Sequence, residues 1–335
     1  MLGELLLCWL GLLPLGALAV LDTNLGNQTI ERTISLRTHS IYAPYIDQDL
    51  QNRWWDFGAD AYINTNKHVR LTRDRPSQMG WLWSRVPLTA QNWIIEVEFK
   101  IHGDSTHLYG DGLAMWLTKT RTEPGPVFGS IDHFEGLGLF LDTYANTRHS
   151  YSFPRIVGML GDGHTAYDQA GDGQKDSLGG CSANLRRTNV GTKVRVSYVK
   201  DKLLSVKAQY RAWDDWVECF TVRDISLPSA PYLGFSAMTG DVSDNHDIIS
   251  VTTYSAILSS PDKQRNKLEG TQAIVASTFF STAAKILGVF VVLGALFFAY
   301  RRFVLKRPVG QGFGDFVGRG GSGPMSAFYN DAKRF

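Results

Sequence analysis

The sequence predicts an all-β fold, a two-sheet sandwich or jelly roll, on three observations. Through the middle of the 335-residue chain, apolar residues recur every second position rather than every third or fourth. Gly, Asp, Asn and Pro punctuate these runs as turn residues. Helical periodicity is scarce outside the two ends.

The strands follow in order. In NWIIEVEFKIHG, Trp93, Ile95, Val97, Phe99 and Ile101 alternate with Ile94, Glu96, Glu98 and Lys100, which gives a strand with one buried face. GLAMWLT and LGLFLDT are apolar on both faces and read as inner strands of stacked sheets. KVRVSYVKDKLLSVKAQY forms two strands around a turn at Lys200, Asp201 and Lys202. YLGFSAM and DIISVTTYSAIL complete the inner set. Trp54, Trp55, Trp81, Trp83 and Trp93 are expected in the core rather than at the surface.

The two ends set the compartment. Residues 1–19 carry a short apolar run ending in Ala17-Leu18-Ala19, the small-x-small pattern of a cleaved signal peptide. Residues 279–300, FFSTAAKILGVFVVLGALFFAY, are long and apolar enough for a transmembrane helix, with Lys285 near one edge. Arg301, Arg302, Lys306 and Arg307 follow at once and put the C-terminal side in the cytosol. The expected protein is single-pass and type I: a luminal domain over 20–257, a short polar stalk over 258–278, the span, and a tail over 301–335. That tail holds seven Lys/Arg against two Asp, so the formal net charge of +2 hides a basic tail and a mildly acidic remainder. Nothing resembles a nucleic-acid footprint. Cys8 leaves with the signal, and Cys181 and Cys219 remain for one disulfide in an oxidising compartment. Asn27 heads an N-glycosylation sequon.

Asp111, Asp142, Asn146, Asp172 and Asp241 each lie where an apolar strand gives way to a short loop with small neighbours. Asp111 and Asp172, each within Gly-Asp-Gly, also suit tight turns, and Asp241 with Asp244 and Asp247 also suits an acidic surface. Taken together, these loops suggest one polar site at a sheet rim. Oxygen-only donors suit calcium rather than zinc, and the same groups suit sugar hydroxyls.

The segments WWDFGADAYI, VRLT, GDGLAMW, FEGLGLFLDTYAN, YDQAGDG and TGDVSDNHDIIS, in that order, resemble the L-type (legume-lectin-like) cargo-receptor lectins of the early secretory pathway. The short stalk is closest to the vesicular integral-membrane lectin branch. The resemblance implies a legume-lectin-like β-sandwich. It implies Asp142, the Tyr144 carbonyl, Asn146 and Asp172 as ligands of a calcium ion. It implies Ser77, Asp111, Asn146, Gln169, Gly240, Asp241 and Val242 as carbohydrate-binding residues for high-mannose N-glycans. Gln169 stands where the family usually has histidine, so pH-dependent release through that residue should be absent. Ala145 and Thr147 stand where some members place acidic residues, so one ion is expected; calorimetry giving two comparable sites would contradict this. The resemblance also implies glycoprotein cargo, residence in the endoplasmic reticulum, the ER–Golgi intermediate compartment and Golgi membranes, and possible oligomers with related lectins. Terminal Lys333, Arg334 and Phe335 then read as a sorting signal for COPII, with COPI retrieval weakened because the basic pair lies one place too near the end.

Two other readings are open. A sugar-inactive adaptor of the same fold is compatible with Gln169. A glycan hydrolase needs two carboxyl groups about 5–9 Å apart on the sugar face; Glu96 and Glu98 share a face, but it is opposite the buried one, and Asp132 and Glu135 only flank a loop.

Overall fold

The computed structural model describes residues 24–25, 28–259 and 261–303. The signal peptide, Asn27 and the sorting residues Lys333, Arg334 and Phe335 lie outside the described residues.

Sixteen strands follow in chain order among the described residues. They are β1 (Asn24–Leu25), β2 (Gln28–Ser35), β3 (Trp55–Ala59), β4 (Tyr62–Asn64), β5 (His68–Thr72), β6 (Met79–Ser84), β7 (Asn92–His102) and β8 (Gly112–Thr118). The second half holds β9 (Glu135–Asp142), β10 (Arg155–Asp162), β11 (Ser177–Ser182), β12 (Thr192–Val199), β13 (Leu203–Gln209), β14 (Trp216–Arg223), β15 (Tyr232–Met238) and β16 (Asn245–Leu258). One sheet runs β1-β2-β16-β7-β12-β13-β14, with β5 paired to β16 and β4 to β5; the other runs β11-β10-β9-β8-β15-β6-β3. All of the named strand pairs are antiparallel. The legume-lectin-like sandwich expected from the sequence is the fold observed.

Alternation explains the layers. Ile95, Val97 and Phe99 of β7 pack with Leu113, Met115 and Leu117 of β8 and with Leu137, Leu139 and Leu141 of β9 in the main core. The intervening residues of β8 and β9, among them Ala114, Trp116 and Phe140, face the other way. They form a second apolar layer with Phe128, Phe134 and Tyr167 from the connecting loops. Both faces of these strands are therefore covered, as their uninterrupted apolar runs require. Each large side chain so buried contributes roughly 1.5–3 kcal/mol. Trp55, Trp83 and Trp93 are fully buried, while Trp54 and Trp81 are half-buried against the two clusters. On β7, Glu96 and Glu98 pair with Arg195 and Lys193, across from the core-facing side chains.

The predicted turn at Lys200–Lys202 separates β12 from β13, with Asp201 in the left-handed region at φ 56°. Cys181 and Cys219 are disulfide-bonded and join β11 to β14, the edge strands of the two sheets. A separate unit begins at Pro261. Its helix α1 (Pro261–Phe303) runs without a break through most of the segment read as a stalk and all of the segment read as a span. Within it, Ser281–Phe303 is long and apolar enough to cross a membrane, with mean hydropathy 2.2.

Candidate functional site

The seven-stranded sheet has a register that sets one rim. Ser182 of β11 pairs with Arg155 of β10, Arg155 with Asp142 of β9, Asp142 with Gly112 of β8, and Gly112 with Met238 of β15. Antiparallel pairing thus brings the end of β9, the start of β8 and the end of β15 side by side. Asp111 precedes β8, Asp142 closes β9, and Gly240, Asp241 and Val242 follow β15. The connection from β10 to β11 carries Gln169 and Asp172 back to the same rim.

There the loops lock together. The Gly110–Asp111 peptide bond is cis. The Asp111 N–H donates to the Met238 carbonyl (3.3 Å), and the Asp111 carbonyl accepts from the N–H and the hydroxyl of Thr143, each at 3.0 Å. The Asp142 carboxylate accepts from the Tyr144 N–H at 3.0 Å. Asp172 accepts from the Asn146 N–H (3.1 Å), from the Asn146 amide nitrogen (2.6 Å), and contacts His149 Nε2 at 2.6 Å. The Ser77 N–H donates to the Gly240 carbonyl at 3.1 Å, which ties the fourth loop in. Gly110 is required by close approach. A Cβ there would lie 2.8 Å from Tyr144 Cβ and 3.1 Å from Val242 Cγ2, so any side chain would push two site loops apart.

Asp111, Asp142, Tyr144, Asn146 and Gln169 line one notch together with Pro126, Val127, Phe128, Tyr167 and Met238. Asp172 joins it through Asn146. Gly240 sits against the Asp111 carboxylate, and Ser77 is exposed on the loop bonded to Gly240. The residues expected to hold the metal and the carbohydrate therefore lie at this rim, with Val242 beside Gly110 and Asp241 near Asp111. The apolar half of the lining was not legible: a search for oxygen donors passes over Phe128 and Tyr167, whose loops fold over the second apolar layer, and over Met238, which the sheet register places at the rim end of β15. His149, on the loop after β9, also reaches the site, with its Nε2 2.6 Å from an Asp172 carboxylate oxygen.

The acidic run after β15 is divided by the fold. Asp241 is exposed, whereas Asp244 and Asp247 are buried. Asp244 pairs with Arg186 through two contacts of 2.8 Å, and Asp247 with Arg70 at 2.6 and 2.8 Å. The alternative of an acidic surface is therefore corrected for these two: they are structural ion pairs.

The electrostatics of the notch favour a cation. Asp142 and Asp172 are 3% and 1% exposed. Burial pushes the Asp142 carboxyl up to about 8, against the Tyr144 N–H bond, and the nearby Asp172 and Asp111 push the same way. Burial and then Asp241 raise Asp111 to about 6. Burial, followed by Asp142, Asp172 and Asp168, raises the Tyr167 hydroxyl. Buried carboxylates that repel one another are destabilised until a positive charge joins them. Among the described residues no group of three or more His, Cys, Asp and Glu side chains comes together as a metal site. The donors here are of another kind: two carboxylates, with an amide and a main-chain carbonyl on the loop between them, all hard oxygens. This set fits a calcium ion.

The geometry has close counterparts. The model of the legume-like lectin family matches residues 32–263. An L-type lectin-like domain-containing protein of Schizosaccharomyces pombe is 38% identical over 223 residues, 66% of this chain and 72% of that one. The human vesicular integral-membrane protein VIP36 is 38% identical over 232 residues, 68% of this chain and 65% of its own. The match thus spans slightly less than two thirds of VIP36. The crystal structure of the VIP36 exoplasmic/lumenal domain in its Ca2+/Man3GlcNAc-bound form superposes with a TM-score of 0.62 at 38% identity, covering 68% of this chain and 94% of that domain. From about residue 32 to 263, the chain belongs to the legume-like lectin family.

Proposed function

We propose that this protein is a calcium-dependent lectin for high-mannose N-glycans, anchored by one membrane span and acting as a glycoprotein cargo receptor between the endoplasmic reticulum and the Golgi. One observation carries the reading: Asp111, Asp142, Tyr144, Asn146 and Gln169, from three separate loops, line a single notch at the sheet rim. The VIP36 structures with Ca2+ and mannose ligands support it. Asp142, Asp172, the Asn146 side chain and the Tyr144 carbonyl would hold the ion, which would neutralise the buried carboxylates and fix their loop. Asp111, Asp241, Asn146, Gln169 and Ser77 would then meet sugar hydroxyls, with the Gly240–Val242 main chain close behind. Preorganisation is the gain, because polar groups that must reorder on binding lose affinity. One ion is expected, because Ala145 and Thr147 stand where acidic side chains would be needed to hold a second.

The reading divides the chain into signal peptide (1–19), luminal domain (20–257), stalk (258–278), span (279–300) and cytosolic tail (301–335). Lys333, Arg334 and Phe335 would serve COPII, and less readily COPI, while Asn27 would carry a glycan. A single mannose site is weak, since a wet polar ligand gains little net energy. Clustering in one membrane, including with related lectins, would raise avidity. The reading is non-enzymatic: the relatives are lectins, and Glu96 and Glu98 are engaged in ion pairs on the outer face of β7.

A glycan array run with calcium and with chelator tests the proposal. Calcium-dependent binding to high-mannose structures is expected. Absence of binding under both conditions overturns it in favour of an adaptor, and cleavage of the glycans in favour of a hydrolase.

A further inference from the structure

Asp74 is half-buried on the connection from β5 to β6 and does not line the notch. Its carboxylate joins two other loops to its own. Oδ1 accepts from the Ser243 hydroxyl on the β15–β16 loop, and Oδ2 accepts from the Asp104 N–H on the β7–β8 loop, each at 2.7 Å. The Asp74 N–H donates to the Asn245 side-chain oxygen at 3.1 Å, and the Asn245 amide donates in turn to the His102 carbonyl at 3.0 Å. Gly103 lets the chain pass this close, because a Cβ there would lie 2.6 Å from Asp74 Oδ2. Burial acts to raise the Asp74 carboxyl, but the bonds from Ser243 and Asp104, with Arg186 and His102 nearby, hold it below its ordinary value. An ionised carboxylate makes a stronger tie than a neutral acceptor.

The three loops so joined carry residues expected at the sugar. Ser77 shares the loop of Asp74, Asp111 ends the loop that Gly103 begins, and Gly240, Asp241 and Val242 lead into Ser243. These last three are held from both sides. Before them, Thr239 donates its N–H to the Gln78 carbonyl at 2.9 Å and its hydroxyl to the Arg75 carbonyl at 2.7 Å. After them, Ser243 is bound to Asp74. The calcium ligands have a different support. Asp142 ends β9, Tyr144 and Asn146 follow it, and Asp172 lies between β10 and β11. Among the described residues, the hydrogen bonds of the Asp74 carboxylate reach neither of those connections.

We propose that Asp74 is a positioning residue for carbohydrate binding, whose carboxylate sets the three sugar-facing loops against one another while the calcium ligands are held independently. The inference rests on the lectin reading above. Loops fixed in advance have less order to lose when a polar ligand binds, so the brace acts on sugar affinity. Its test is calorimetry on the full chain in detergent, first with calcium into chelator-stripped protein, then with a high-mannose oligosaccharide at saturating calcium. Asp74→Ala should weaken oligosaccharide binding roughly 10- to 100-fold and keep the wild-type calcium Kd. Ser243→Ala removes one of the two bonds and should cost roughly three- to tenfold, again with calcium binding unchanged. Asp74→Asn should recover most of the loss, since its amide oxygen can accept from Asp104 and its amide nitrogen can donate to the Ser243 hydroxyl. The proposal is overturned if the alanine variants bind the oligosaccharide like the wild type, if sugar and calcium affinities fall together, or if Asp74→Asn is no better than Asp74→Ala. Should Asp74→Ala fail to fold, Ser243→Ala decides: a selective loss of sugar affinity supports the brace, and wild-type sugar affinity overturns it. A wild type that binds calcium but no oligosaccharide overturns the lectin reading itself.

Discussion

Asn146 holds Asp172 from two directions, through its main-chain N–H at 3.1 Å and its side-chain amide at 2.6 Å. The β9–β10 and β10–β11 connections are thereby joined at a carboxylate that is 1% exposed. Asn146→Ala should lower calcium affinity by roughly 10- to 100-fold, the usual cost of losing a group that holds a metal site together. The check is a thermal-denaturation series with and without calcium. In the wild type, ion at a hundredfold over its Kd should add about 2.7 kcal/mol of stability. At the same calcium concentration the variant should keep little of that gain.

Gln169 lines the notch beside Asp111 and Asp142 but cannot take up a proton in the physiological range. Gln169→His should introduce a titration near the ordinary histidine value of about 6.5. Below that pH an imidazolium would stand beside the bound cation, so mannose affinity should fall as the solution is acidified. Binding curves for wild type and variant between about pH 5.5 and 7.5 measure this. Parallel curves for the two proteins would refute it.

Arg186 and Asp244 form a buried bidentate pair beneath the β15–β16 loop, and Arg186 also donates to the Ser105 carbonyl and lies 4.0 Å over the Tyr109 ring. Asp244→Ala leaves a buried guanidinium without its counterion and should cost about 3–5 kcal/mol in urea denaturation. Adding Arg186→Met should recover part of that loss. Equal destabilisation in the single and double variants would argue against a charge penalty.

His246 is fully buried; its Nδ1 contacts the Thr72 hydroxyl at 2.7 Å, and its Nε2 has no hydrogen-bond partner among the described residues. Burial lowers its pKa to about 3, with His102 and Arg186 acting in the same direction. The folded value lies below the unfolded one, so the unfolded chain takes up the proton first. Its contribution is fully present above about pH 6.5 and is lost as pH falls towards about 3, at roughly 1.4 kcal/mol per pH unit. His246→Gln should remove this part of the acid sensitivity. The difference between the wild-type and variant stability curves isolates it from titrating carboxylates.

The division between sequence and structure is clear in these residues. Period-2 alternation in β7 determined which face carries Ile95 and Val97 and which carries Glu96 and Glu98, because successive side chains on a strand must point to opposite sides. The double-sided apolar runs of β8 and β9 determined that they are inner strands. The apolar run at 279–300 determined a helix long enough for a bilayer, since length and hydropathy are local quantities. Even the site's oxygen donors were legible, as acidic and amide residues at strand ends with small neighbours.

Other features were decided only by long-range pairing. That Asp142, Gly112 and Met238 share one row follows from register across β9, β8 and β15, which no local pattern encodes. Asp241, Asp244 and Asp247 look alike in the chain, yet the first is exposed and the others are buried because Arg186 and Arg70 reach them from distant segments. Phe128 and Tyr167 border the notch because their loops cover the outer layer around Phe140, a contact between residues far apart in the chain. Local chemistry is written residue by residue, whereas burial and charge pairing depend on which segments meet, and only the folded sandwich brings those segments together.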